Sequence, residues 1–185
     1  MDERESRLVA LVIQGDRDAF GPLVTPYRKA LLNMAYRLCR NWEDAGELCQ
    51  ETLLRAFRYL RSYDPRRSFK TWIFQILVNV WRSSLKDRPD SAALQEWALA
   101  DSSEGPEAGH DRNEVRSQVL DCLDALSRRE KEVFLLRDFE EMSILETAEA
   151  LGISQLSVRV RLSLARKKIR ERAMEKYPHL GEGRS

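Results

Sequence analysis

Apolar positions return every three or four residues through most of this chain, the period of a helix with one buried face. Asp16, following Gly15, is placed to cap a helix whose face reads Phe20, Leu23, Val24, Tyr27, Leu31, Met34 and Leu38, with Pro22 and Pro26 blurring its start. The next stripe is cleaner: Ala45, Leu48, Cys49, Thr52, Leu53, Ala56, Phe57 and Leu60 predict a helix over residues 44–60. It ends at the proline-containing basic loop SYDPRRS. A further helix is predicted from about Phe69 to Leu85, carrying Trp72, Ile73, Ile76, Leu77 and Val80. Three or four such helices around one core make a first domain.

The apolar period then stops. Residues 87–111 gain Ser, Pro, Gly and acid and read as a flexible linker, with Trp97 as a possible anchor. Periodicity resumes at Val115, Val119, Leu120, Leu123 and Leu126. Two S-x-x-E capping boxes, Ser127 to Glu130 and Ser143 to Glu146, each mark a helix start. A final helix opens at Ser154 and runs to about Lys176. The class is therefore all-α: two small helical domains, residues 1–88 and 113–177, joined by an acidic linker at 89–112 and followed by a tail at 178–185.

Charge changes this picture because it is segregated. The net charge is only +1, yet the stretch from Arg55 to Arg88 holds nine Lys/Arg against two acids, and that from Arg159 to Arg172 seven against one. Between them, residues 87–114 hold eight acids and two bases. Two basic surfaces flanking an acidic tether suit two contacts with one polyanion. No run approaches the roughly 18–20 apolar residues of a membrane span, and the acidic N-terminus lacks a signal peptide's apolar core, so a cytoplasmic protein without membrane insertion is expected. Cys39, Cys49 and Cys122 lie on apolar faces without metal spacing and are expected as buried thiols. His110 and His179 fall in the linker and the tail, and there is no phosphate-binding glycine loop. Neither a catalytic set, a metal site, a cofactor nor a small-molecule substrate is expected.

The segment SILETAEALGISQLSVRVRLSLARKKI has the spacing of a DNA-reading helix-turn-helix. Ala148 is small where two helices cross, Gly152 permits a left-handed turn residue, and Val158, Leu162, Ala165 and Ile169 seat the second helix on the core. Its opposite face carries Gln155, Arg159, Ser163, Arg166 and Lys167, a mixture suited to base edges and phosphates. A plain αα-corner is the structural alternative.

Ahead of it, LCQETLLRAFRYL followed by FKTWIFQILVNVWRSSLK resembles the polymerase-binding and −10-reading part of bacterial sigma factors. LSRREKEVFLLRDFEEMSILETAEALGISQLSVRVRLSLARKKIR resembles their −35-reading domain. The order of the two, with a variable linker and nothing else, is that of the extracytoplasmic-function (ECF) group. The resemblance covers about residues 5–173. It implies a transcription initiation factor that lends promoter recognition to core RNA polymerase and works under an anti-sigma factor. The residues it implies for clamp contact with the polymerase β′ subunit, within a core that includes β, are Glu47, Gln50, Glu51 and Arg55. For −10 DNA it implies Tyr63 and the loop 64–68 as a pocket for a flipped base, Asn79 at its edge, and Arg66, Arg67, Lys70, Arg82 and Lys86 on phosphates. For −35 DNA it implies the outer face of the last helix, Gln155, Arg159, Ser163, Arg166 and Lys167.

Trp72 is expected in the core, and Trp81 as the aromatic that could be exposed. Departures from the family pattern are Gly46–Glu47 where an acidic pair is common, and Val160, Ser163 and Leu164 where polar, aromatic or basic residues are frequent. The competing readings are a stand-alone helix-turn-helix regulator, dimeric on palindromic DNA, and a decoy that occupies polymerase without promoter specificity.

Overall fold

The computed structural model describes residues 3–86 and 110–178, with side chains for 3–85 and 117–178. Residues 89–109 of the expected linker and 179–185 of the expected tail, with Trp97 and His179, lie outside them, as does the side chain of His110. All regular structure among the described residues is helical, and the chain divides into two compact units.

The first unit holds α1 (Glu3–Ile13), α2 (Phe20–Cys39), α3 (Trp42–Tyr59) and α4 (Phe69–Lys86). Asp16 does cap, but what it caps is a 3-10 turn, Arg17–Ala19, that leads into α2: its side chain accepts from the Asp18 N–H. Helix α2 begins at Phe20 and continues through Pro26. Both Pro22 and Pro26 are exposed near the start, where water can take the carbonyl that Pro26 leaves unbonded. Arg40 ends α2 in the left-handed region at φ 62°, and Asn41 starts α3 by accepting from the Glu43 and Asp44 N–H groups at 2.8 and 3.1 Å. Tyr36 and Trp42 stack across this corner with ring centroids 4.0 Å apart. Helix α3 packs along α2 and against α4.

Helix α4 is covered on most of its circumference: Phe69, Ile73, Phe74, Leu77 and Val78 are inaccessible, Trp72 is buried as expected, and Trp81 is only 3% exposed. The exposed Trp81 of the sequence reading is thus corrected. Both tryptophans are covered by the bundle and belong to its core, while α4 keeps one polar face. Helix α1 was not foreseen; it packs on α2, and its Glu5 accepts a hydrogen bond from the Tyr27 hydroxyl.

The second unit holds α5 (His110–Asp124), α6 (Arg128–Phe134), α7 (Ile144–Leu151) and α8 (Gln155–Lys176), with a wide π-type turn, Leu135–Phe139, closing α6. Helix α5 starts inside the segment read as linker. Both capping boxes form as expected, Ser127 with Glu130 and Ser143 with Glu146. Gly152 takes φ 66° and reverses the chain between α7 and α8, and Ser154 caps α8 by accepting from the Ser157 N–H at 3.1 Å. Val158, Leu162 and Ala165 are buried, and α6 and α7 both pack on α8. Cys39, Cys49 and Cys122 are free and buried.

Candidate nucleic-acid and partner-protein interfaces

Helix α3 buries Ala45, Leu48, Cys49, Thr52 and Ala56, which turns the intervening positions outward. Glu47 and Gln50 are exposed, while Glu51 and Arg55 are half-buried and tied to each other, the Arg55 Nε donating to Glu51 Oε1 at 2.6 Å. Leu54, 53% exposed, lies on the same face and was not singled out in the sequence. The periodicity had assigned its neighbour Leu53 to the core, and nothing in the local pattern distinguished a leucine left in water. The face thus has an apolar side chain among charged and amide groups, the arrangement of a protein-binding patch whose polar rim shields one buried anchor. Beside it, Asp44, Glu47 and Glu51 edge a shallow cleft of about 190 Å³ that reaches Val80 and Ser84 of α4.

The basic loop is organised around Tyr63, and here the structure departs from an open stacking platform. Tyr63 is 5% exposed, its ring packed against Phe69 and Trp72 at centroid distances of 5.5 and 5.3 Å. Its hydroxyl donates to the Arg67 carbonyl at 2.6 Å. Burial first, then the charges of Glu5 and Asp64, push that hydroxyl up to about 12, so it remains a donor. A base could reach this ring only if the packing opened. Arg66 wraps onto Asp64, Nη2 to Oδ2 at 2.9 Å, and the hydrogen bond from Arg66 holds the Asp64 carboxyl below its usual range. Arg67 reaches over to α4, donating to Gln75 Oε1 at 3.3 Å. Gln75, half-buried, and Asn79, exposed, sit one turn apart on α4, followed by Arg82 after the next three positions. The loop is thereby fastened to the amide-bearing face of α4, with Gln75 as a member the sequence did not suggest. Lys70, in the first turn, lies 6.0 Å from the Phe74 ring centroid.

On α8, Gln155, Arg159, Ser163, Arg166 and Lys167 are all exposed, as expected of a reading face. Their charges are not equally available. Arg166 is held by Asp138 of the π-type turn, Nη2 to Oδ1 at 2.6 Å. Lys167 stands 3.8 Å from Glu171, and Lys168 is bound by Glu130, Nζ to Oε2 at 2.8 Å. No ion pair engages Arg159, Arg161 or Arg170 among the described residues. At the end of α8, Lys176 and Tyr177 both donate to Asp121 of α5, at 2.5 and 2.7 Å. No cluster of His, Cys, Asp and Glu that could hold a metal ion occurs among the described residues. No helix among them is long and apolar enough to cross a membrane.

An exposed face around Leu54 on one helical unit and a capped helix-turn-helix with arginines outside any ion pair among the described residues on the other are surfaces suited to a protein partner and to DNA. Comparison with known proteins narrows this. Residues 23–89 match sigma-70 region 2 and residues 116–169 match sigma-70 region 4. The chain is similar to the RNA polymerase sigma-H factor of Pseudomonas aeruginosa, 29% identical with 90% of this chain and 92% of that protein covered. It is also similar to the ECF RNA polymerase sigma factor SigW of Bacillus subtilis, 26% identical over 92% and 97%. Among solved structures, CnrH in complex with the cytosolic domain of CnrY is 28% identical, covering 94% of this chain and 99% of that one with a TM-score of 0.71. RpoE of Bartonella quintana, bound to the anti-sigma factor NepR, shares the fold at a TM-score of 0.71 and 23% identity, covering 89% and 98%. The chain belongs to the sigma-70 family and is a sigma factor of the ECF group.

Proposed function

We propose that this sigma factor binds core RNA polymerase through the outer face of α3, reads −10 DNA with the loop after α3 and the Gln75–Asn79–Arg82 face of α4, and reads −35 DNA with α8. The observation that carries the reading is the pairing of two surfaces in one chain. The α3 face is built around exposed Leu54, and a separate helix-turn-helix leaves Arg159 and Arg161 without an ion-pair partner among the described residues. Its chemistry is recognition without catalysis, and it acts in the cytoplasm, where the polymerase is. Control by an anti-sigma factor is supported by the related structures, in which CnrH is held by CnrY and RpoE by NepR.

Promoter opening follows from the same geometry. Holding one strand single needs a basic surface with amide or aromatic groups that recover the cost of unstacking, a few kcal/mol. Arg67, Gln75, Asn79 and Arg82 supply cations and amides side by side. The test is reconstitution with core polymerase: reversing the charges of Glu51 and Arg55 together should weaken association while leaving helicity intact. Unchanged affinity for the core would contradict the α3 assignment.

A further inference from the structure

The outward side of α8 is not led by its polar residues. Leu156, Val160 and Leu164, at spacings of four, form a continuous stripe that is 68, 50 and 46% exposed. They stand opposite the buried Val158, Leu162 and Ala165, so they, with Ser163 and Lys167, are what the second helix of the helix-turn-helix carries furthest from its own core. Leaving three large aliphatic side chains in water forgoes the stabilisation that burial would bring, and such a stripe ordinarily marks a contact surface.

The charge around the stripe selects the occupant. Arg159, Arg161 and Arg170 flank it with no ion pair among the described residues, and the stretch from Arg159 to Arg172 holds seven bases against one acid. This surface suits a polyanion. Within a major groove, an aliphatic side chain has no donor or acceptor with which to read guanine, adenine or cytosine edges, but it matches the one apolar feature there, the thymine C5-methyl. A guanine or cytosine edge pressed against it would lose water and gain no hydrogen bond. Two turns of stripe span about 12 Å, against about 3.4 Å per base step, so several adjacent positions come within reach.

We propose that Leu156 and Val160, the members nearest the turn, with Leu164 behind them, read thymine methyl groups in the upstream promoter element and so set this factor's sequence preference, a reading that rests on the proposed DNA contact of α8. The arginines anchor the helix to phosphates, and the aliphatic stripe discriminates between bases.

The experiment uses the reconstituted holoenzyme and an upstream element selected from a randomised library. Each thymine is replaced in turn by uracil, which removes the methyl and leaves the hydrogen-bonding edge intact. Loss of about three- to fivefold in affinity is expected at each methyl that Leu156 or Val160 covers, the worth of one buried methyl group. Leu156→Ala with Val160→Ala should abolish the thymine-to-uracil difference at those positions, with unchanged helicity because both residues are exposed. Equal binding of thymine and uracil templates at every upstream position, while Arg159→Ala still weakens binding, would overturn the proposal and leave the α8 reading standing. If Arg159→Ala and scrambling of the upstream element both have no effect, the α8 reading itself fails. Should the double alanine variant lose association with core polymerase while the thymine-to-uracil ratio stays the same, the stripe is a protein contact and the proposal is overturned.

Discussion

Arg166 of α8 and Asp138 of the turn after α6 form an ion pair at 2.6 Å that joins the outer face of the recognition helix to the element beneath it. Both groups remain partly open to water, so the pair contributes modestly to stability, but it commits one cation of the face to the protein itself. Arg159, five residues from the cap, is not so committed. Arg159→Ala should therefore weaken promoter binding alike across sequences and lower the salt slope by about one phosphate contact, whereas Arg166→Ala should do less. Asp138→Asn should free Arg166 and steepen the dependence of log affinity on log salt by about one phosphate contact. Salt titrations of binding for the three variants check all of this, and equal losses for both arginines would refute the ranking.

Glu130 joins two structural roles. Its carboxylate accepts from the Ser127 N–H at 2.8 Å in the capping box of α6 and holds Lys168 of α8 at 2.8 Å. Burial pushes the carboxyl up, but the hydrogen bonds from Lys168 and Ser127 outweigh it and hold it below its usual range. A carboxyl depressed on folding contributes stability above its unfolded pKa and loses it as pH falls through the folded one. The C-terminal unit should thus weaken below about pH 4.5, the carboxyl's ordinary value. Glu130→Gln keeps the cap acceptor but not the charge and should cost about 1–3 kcal/mol at neutral pH, Glu130→Ala more. Denaturant melts from neutral to acid should show the Gln variant converging on the parent; a constant gap would exclude the carboxylate as the cause.

Tyr63 acts first as a core residue. Tyr63→Ala should cost about 3–5 kcal/mol, as truncation of a buried aromatic does, and Tyr63→Phe about 1 kcal/mol for the hydroxyl bond to the Arg67 carbonyl. Asn79, exposed on α4, isolates the opening step. Asn79→Ala should leave the melting temperature unchanged and reduce transcription from duplex promoters, with recovery on a template mismatched across the −10 element. Equal defects on both templates would place the base contact elsewhere.

The face of α3 is tested at its centre. Leu54→Asp, at an exposed position, should spare folding and weaken core polymerase binding by at least about 2 kcal/mol if Leu54 is the buried anchor of that contact. Binding measured by titration of labelled core, beside a thermal melt of the variant, separates the two effects.

Much of the fold was legible in the residues because the local signals agreed with one another. Ser127, Ser143, Gly152 and Ser154 each mark a helix end by chemistry that needs no tertiary partner, and each does so in the structure. Helix α1 was missed although Leu8, Val9, Leu11, Val12 and Ile13 share one side of it: these apolar positions crowd into its last six residues, and only Val9 is buried. Of the candidate sites, position on a face could be read but commitment could not. Arg166 with Asp138 are 28 residues apart, and Lys168 with Glu130 are 38 apart. Such distant pairs leave no periodic trace. Trp81 was misjudged, and the cover over Tyr63 went unread, for a related reason: a single aromatic near a loop or on a helix end does not announce what packs over it, and Phe69 and Trp72 cover Tyr63.

The central claim, one chain that directs core polymerase by two different DNA elements, is tested most directly by transcription from a randomised promoter library. Purified chain is mixed with core polymerase and the transcripts are sequenced. The account predicts start sites that require the chain and two enriched, unlike elements at fixed separation, the upstream one lost in Arg159→Ala and the downstream one degraded in Asn79→Ala. Transcripts indistinguishable from those of core enzyme alone, or a single palindromic element bound without polymerase, would contradict it.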